Sequence, residues 1–206
     1  MIPMIIDFAD LSASQAYHAM TQTLIPRPIA WVLSENPGGN LNLAPFSYFT
    51  AVCSEPPLVM LSIGRKPGGD LKDTRRNLVE GRPFVIHIAP SGLATQLTET
   101  SRTLPLGESE LECAGLALAP FDGSSVPRLA DCPIAMACTL YDVQEVGPKR
   151  QGLIFAEVKQ VYLSDAVARM EGGRLVVAAD KVNPLARLGG DEYASLGELL
   201  KVPRPG

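Results

Sequence analysis

The densest concentration of chemistry-bearing side chains lies between Arg65 and Arg76. Arg65, Lys66, Lys72, Arg75 and Arg76 are set against only Asp70 and Asp73, a net charge of +3 inside a chain whose formal charge is −4. Pro67-Gly68-Gly69 interrupts the segment, and a helix is predicted from about Asp70 to Glu80, with Gly81 as its stop. A helix start presents unpaired N–H groups and a partial positive charge. With the Lys72 ammonium and the Thr74 hydroxyl beside it, the segment holds the parts of a phosphate site. The plainer reading of the same residues is a solvated helix face with i,i+4 ion pairs.

A second candidate is Asn42-Leu-Ala-Pro-Phe-Ser47. Pro45 cannot donate to a ladder, so it marks a strand edge or a bulge. Backbone groups left without a neighbour there can hydrogen-bond the rim of a flat heterocycle. Trp31, the only tryptophan, lies one strand earlier. The plainer reading is a core strand with an edge proline. Other signatures are missing: there is no G-x-G-x-x-G, no G-x-x-x-x-G-K-[ST] and no G-x-S-x-G. Two histidines, His18 and His87, exclude a multi-histidine metal site. The four cysteines (Cys53, Cys113, Cys132 and Cys138) form no C-x-x-C and read as reduced thiols rather than a disulfide framework. A Cys–His nucleophile pair through His87 stays open beside the plainer reading, a core histidine among small buried thiols.

These residues need a scaffold. The chain has 206 residues, 46% hydrophobic and 19% charged, which suits one domain with a sizeable core. Glycine and proline, 18 of each, are spread without a period and imply many turns between short strands. Ser12 or Ser14 is expected to cap a short helix ending before Pro26. Strands are expected at 28–33, 41–49 and 58–63, an antiparallel meander with Asn36-Pro-Gly-Gly-Asn40 as its first turn. Further strands are expected at 84–88, 134–146, 153–163 and 174–178, with a weak helix at 93–100. Residues 103–130 read as a long ordered loop. The pattern predicts a mainly β fold, a closed or half-closed barrel with short peripheral helices. The acidic balance disfavours nucleic acid. No apolar run approaches the roughly 18 residues of a membrane span. Asp7 and Asp10, with no base before Arg27, are unlike a signal peptide, so a cytoplasmic location is expected.

Four blocks together narrow the reading. Arg27-Pro-Ile-Ala-Trp-Val32, Asn42-Leu-Ala-Pro-Phe-Ser-Tyr-Phe49, Pro56-Pro-Leu-Val-Met-Leu-Ser-Ile-Gly64 and Lys72-Asp-Thr-Arg-Arg-Asn-Leu78 resemble, in order and spacing, the flavin reductase-like FMN-binding split-barrel family in its flavoredoxin-type branch. Cys113-Ala-Gly-Leu116, Pro127-Arg-Leu-Ala-Asp-Cys-Pro133 and Pro184-Leu-Ala-Arg-Leu-Gly-Gly190 with Tyr193 extend the likeness. The resemblance implies one FMN-binding split β-barrel domain over residues 1–206. It implies FMN held without a covalent bond, usually in a homodimer with the flavin near the interface.

Carried over block by block, Lys72, Asp73, Thr74 and Arg75 match the family's phosphate-binding segment, in agreement with the local charge inversion. Arg27 matches an arginine near the phosphate or ribityl chain, with Trp31 in the same block. Asn42, Ala44, Pro45, Phe46 and Ser47 match the strand that edges the isoalloxazine ring. Ser62, Ile63 and Gly64 match a strand end beside the ribityl chain. Arg187, Gly189, Gly190 and Tyr193 match a C-terminal element that approaches the cofactor. Two departures stand out: Leu33-Ser34 where the family usually has a small hydroxyl pair, and Cys53 where serine is more usual. The Cys53 thiol is either a silent replacement or a contact that adjusts redox behaviour.

The activity implied is hydride transfer from NADH or NADPH to FMN, with no catalytic side chain and no metal, and with the reduced flavin passed to an acceptor such as a monooxygenase. Two alternatives are an FMN-containing electron-transfer protein reduced by a partner protein, and a non-catalytic flavin carrier.

Overall fold

The computed structural model describes residues 3–105 and 108–205. Ser12 caps α1 (Ala13–Thr23) in a capping box, accepting from the Gln15 N–H while the Gln15 side chain accepts from the Ser12 N–H. Then follow β1 (Ala30–Glu35), β2 (Leu41–Phe46), β3 (Phe49–Ser54), β4 (Pro57–Ile63), α2 (Asp73–Asn77) and β5 (Pro83–Ile88). Two short helices, α3 (Ala94–Glu99) and α4 (Glu110–Ala114), lead to the small ladder of β6 (Leu118–Ala119) with β7 (Arg128–Leu129). The long strands β8 (Ile134–Val146) and β9 (Gln151–Leu163) come next. The chain ends with β10 (Ala168–Glu171), β11 (Arg174–Val177), α5 (Ala179–Val182), β12 (Ala186–Arg187) and β13 (Tyr193–Ala194). Among the described residues no helix is long and apolar enough to cross a membrane.

Seven strands form one antiparallel sheet in the order β2-β1-β5-β8-β9-β4-β3. Its two edge strands, β2 and β3, are consecutive in sequence. Only Ser47 and Tyr48 join them, and three Cα steps reach about 11 Å. The two edges must therefore lie side by side, and the sheet is rolled into a barrel. No ladder joins β2 to β3, so the barrel is split at this seam; the Ser62 N–H bond to the Tyr48 carbonyl, 2.9 Å, carries the β3–β4 pairing one residue further. Register shifts in β3–β4 and twice in β8–β9 supply the local bending a tight barrel needs.

The expected three-strand meander is corrected here. The strand at 58–63 does not follow β2 in the sheet; β3 intervenes, and β4 pairs with β3 and β9. From Thr50 to Ser54 every residue of β3 is exposed, so it carries no apolar alternation to announce it. The first helix of the cationic segment is also shorter than the expected 70–80. Arg65 to Leu71 close a small loop, with the Lys66 N–H on the Asp70 carbonyl and the Gly69 N–H on the Lys66 carbonyl. Helix α2 starts only after Lys72, and buried Asn77 ends it by donating to Ser34 Oγ and Asn36 Oδ1.

Strand β1 is buried on both faces. Ala30 and Val32 point into the barrel with Phe46, Leu61, Ile63, Phe84, Ile86 and Ile154. Trp31 and Leu33 point outward into a second core with Leu43, Val85, Leu97, Leu111, Phe121, Val126 and Leu129. That outer core explains residues 108–130 of the expected loop, which form α4, β6, β7 and a cover over β1 and β5 rather than a plain loop; 106–107 lie outside the described residues.

Candidate functional site

Pro45 stands opposite Trp31 in the β1–β2 register. Having no N–H, it occupies a position whose amide side turns away from β1, and the pleat places Leu41 and Leu43 on that same outer side. The start of α4 caps this edge: Leu43 N–H donates to Glu110 Oε2 at 3.0 Å, and Ser109 Oγ donates to the Leu41 carbonyl at 2.5 Å. Beyond this cap, Ala44, Pro45 and Phe46 form one wall of a cleft of about 290 Å³. Asn42, Lys72, Asp73 and Thr74 close one side, joined by Arg65, Lys66 and Pro67; residues 100–104 and Glu110 complete the rim.

The charges in the cleft differ in how far they are used. Lys66 Nζ pairs with Asp73 Oδ2 at 3.0 Å. Arg65 donates to the Gly69 carbonyl and to Glu145, while its buried Nε has no partner among the described residues. Arg102 pairs with Glu99. Lys72 makes no ion pair or hydrogen bond among the described residues; its ammonium lies 5.7 Å from the Phe46 ring centroid, and although the residue is exposed, partial desolvation against the cleft wall lowers its pKa. Thr74 is 1% exposed and accepts from Asn42 Nδ2 at 2.9 Å, which leaves its own hydroxyl proton to give. Glu110 is also buried, and desolvation raises its carboxyl pKa against the opposing pull of the Leu43 N–H.

Of the residues singled out in the sequence, the fold brings Asn42, Ala44, Pro45, Phe46, Lys72, Asp73 and Thr74 to this one cleft. Trp31 is fully buried behind it and donates its indole N–H to Thr100 Oγ1 at 2.8 Å, fixing a rim residue. Arg27 and Ser47 do not line the cleft. Arg27 Nε donates to Ser47 Oγ, and its other nitrogens donate to the carbonyls of Thr21, Leu24 and Leu188 at 2.6–2.8 Å. Ser62 accepts from Gln151 Nε2, Ile63 is in the barrel core, and Gly64 packs against the Gln151 side chain. Arg75 faces Glu145 at 3.6 Å rather than the cleft. Arg187 and Tyr193 stack with the guanidinium 4.5 Å from the ring centroid and line an adjoining hollow that shares Ser101 with the cleft. Gly189 is buried against Gln22, and the Gly190 carbonyl accepts from Arg187.

Several cleft residues are not in the motif blocks. Arg65 and Lys66 belong to the cationic run and carried that signal. Glu110 had only Ser109 before it as a helix-cap hint. Residues 100–104 have no period and no composition that marks them.

The open question about His87 is answered by its bonds. Leu129 N–H must donate, so His87 Nε2 accepts it at 3.0 Å, and the ring proton sits on Nδ1, 3.1 Å from the Trp31 carbonyl. Burial pushes the imidazole pKa down to about 4. Both nitrogens are spent on backbone, and no cysteine sulfur bonds to them. Burial also raises the Cys132 and Cys138 thiols to about 12, which keeps them protonated.

A family model described as "Flavin reductase like domain" matches residues 21–186. An uncharacterized protein of Halalkalibacterium halodurans is 35% identical over 199 residues, covering 95% of this chain and 93% of the relative. Among solved structures, nitrilotriacetate monooxygenase component B of Bacillus cereus superposes with a TM-score of 0.88 at 33% identity, covering 98% of this chain and all of that one. The 2-nitrobenzoate 2-nitroreductase of Pseudomonas fluorescens follows at 0.86 and 30%, covering 98% and 96%. A Shewanella frigidimarina structure described as a flavin reductase with a split barrel domain, 20% identical with a TM-score of 0.81 and 96% of each chain covered, shares the fold.

Proposed function

The chain belongs to the flavin reductase-like family, and from that premise we propose that it binds FMN without a covalent bond in the β2–α2 cleft and reduces it with NADH or NADPH. One observation supports this above others. At one end of the cleft lie a cation and a hydroxyl with no acceptor of their own among the described residues, Lys72 and Thr74, and at its wall lies an edge strand whose proline frees the backbone from pairing. A phosphate needs the first, and the rim of a flat ring suits the second. The residues present therefore fit an FMN-sized nucleotide, with phosphate at Lys72 and Thr74 and the ring along Ala44 to Phe46.

Bound flavin supplies the hydride acceptor, and the hard chemistry is the cofactor's own. The chain's residues do the rest. Asn42 orients the Thr74 hydroxyl. Trp31 and Thr100 stiffen the rim opposite Pro45. Glu110 and Ser109 hold the edge of β2 in place. No side-chain acid or base is required for the transfer itself.

The expected homodimer belongs to the same proposal. Edge strand β3 is exposed from Thr50 to Ser54, with Val52 48% accessible, and Tyr17, Met20, Leu24 and Ile25 are also exposed. A second copy over these residues would cover apolar surface that a monomer leaves in water. The reduced flavin would serve a monooxygenase or another acceptor, the role suggested by likeness to a monooxygenase component.

The visible absorption spectrum of the purified protein with FMN, before and after each nicotinamide, tests the reading. Bound flavin that bleaches and turns over with NADH or NADPH supports it. Bound flavin with no turnover would shift the reading to an electron-transfer protein reduced by a partner. A protein that stays colourless with added FMN would overturn it.

A further inference from the structure

We infer that Glu110 tunes the affinity of the cleft for a phosphate, because a phosphate entering the cleft that this carboxylate lines favours its neutral form, so that binding takes up a proton at this residue. This rests on the phosphate reading of Lys72 and Thr74 and deepens it into a pH-linked control of that site.

The geometry carries the inference. Glu110 lines the same cleft as Lys72 and Thr74. Its Oε2 is tied to the Leu43 N–H at 3.0 Å, so it cannot swing clear without uncapping the edge of β2. Among the described residues no cation pairs with it. From the 65–77 segment Asp73 and Lys66 act on it in opposite senses, and they are already paired with each other. Arg65 is committed to Glu145, and Arg102 to Glu99 at the end of α3. On its own stretch of chain the neighbours are Glu108 and Glu112, both exposed acids that add no positive charge.

Burial already disfavours the ionised form. A phosphate dianion at Lys72 brings two more negative charges into a cleft where Arg65, Lys66 and Arg102 already face Glu145, Asp73 and Glu99, so that, apart from the unpartnered Arg65 Nε, Lys72 is the one lining cation with no acid of its own among the described residues. Protonation of Glu110 removes the repulsion and converts the oxygen not used by Leu43 into an O–H donor. The carboxylate is thus a charge kept in the cleft at a desolvation cost, and it penalises a phosphate-bearing ligand more as the pH rises.

Linkage gives the sign. If phosphate binding raises the Glu110 pKa, FMN affinity relative to a neutral isostere falls as pH climbs through the free protein's Glu110 range. The second ionisation of phosphate, near 6, also titrates here, but it affects wild type and variant alike. The test is therefore a ratio. FMN and riboflavin affinities are measured by fluorescence titration for wild type and Glu110→Gln from about pH 5.5 to 8.5. The glutamine carbonyl keeps an acceptor for the Leu43 N–H.

The expected result is that Glu110→Gln binds FMN about tenfold tighter at the alkaline end, one pKa unit of linkage, with the advantage vanishing toward the acid end and with riboflavin indifferent to the substitution. A ratio that does not change with pH, or an equal change for riboflavin, overturns the inference while leaving the cleft reading intact. Calorimetry of wild type and Glu110→Gln in two buffers of different ionisation heat gives a second readout. More proton uptake with FMN in the wild type than in the variant is expected, and equal uptake in the two overturns the inference. A wild type that binds neither flavin overturns the cleft reading and the inference together.

Discussion

Arg27 and Lys72 are both cations in motif blocks that point to the same ligand, yet the fold treats them in opposite ways. Arg27 is 4% exposed and each of its guanidinium nitrogens donates: to the Thr21 and Leu24 carbonyls at the end of α1, to Leu188 in the tail and to Ser47 after β2. Pro26 and Pro28 stop the helix, so those α1 carbonyls have no further turn to accept from. Arg27 supplies the missing donors and ties three distant segments together. Lys72 has none of these partners and stands at the mouth of a cleft. A buried cation whose donors are all spent is architecture, and one with donors left over is available to a ligand.

The largest effect that sharpens this contrast is on stability. Arg27→Ala takes the donor from one buried carbonyl, that of Thr21, and from the part-buried carbonyls of Leu24 and Leu188, and should cost about 3 kcal/mol, read as a lowered midpoint in urea unfolding of the apo protein. A variant as stable as wild type that loses FMN binding would break the contrast. His87 repeats the case of Arg27 with a titratable group. Its folded pKa of about 4 lies below the ordinary 6.5, so the unfolded chain takes up a proton that the folded one refuses. The contribution is complete above about pH 7 and is lost as pH falls from 6.5 toward 4, up to about 3 kcal/mol. An NMR titration of the ring protons checks it; a midpoint near 6.5 would mean the imidazole is not sealed in.

Legibility in the sequence follows the same divide. The long strands β8 and β9, the β1–β2 hairpin and the capped α1 could be read because their apolar runs, Gly and Pro turns and Ser12–Gln15 cap are local signals. β3 could not, since its register is imposed by closure of the barrel and its side chains are exposed. In the site, Asn42, Lys72 and Thr74 were legible because motif and local charge agreed. The separation of Arg27 from the cleft was not, because acceptors 161 residues away, such as Leu188, decide where its donors go. Glu110 is not legible for the same reason: it reaches Leu43 across 67 residues of chain.

The next effect falls on the ligand side. Lys72→Ala should leave apo stability nearly unchanged and weaken FMN binding by about 2 kcal/mol, the scale of one charge-assisted hydrogen bond. Riboflavin, which lacks the phosphate, should bind as before. Paired fluorescence titrations of the two flavins decide it, and an equal loss for both would place Lys72 at the ring rather than the phosphate.

Cys53 marks the small end of the scale and tests how far the site extends. It lies on exposed β3, its Sγ donates to the Pro56 carbonyl at 3.2 Å, and it lines no part of the cleft. A serine hydroxyl can keep that bond. Cys53→Ser should therefore change stability and FMN affinity by less than about 0.5 kcal/mol. Unfolding curves and flavin titration of the variant measure both. A loss of FMN affinity well beyond that, with stability intact, could not arise within one chain's cleft. It would require a second copy to bring its β3 against the bound flavin, and the boundary drawn between the structural and the available residues of a single chain would then have to be redrawn across the pair.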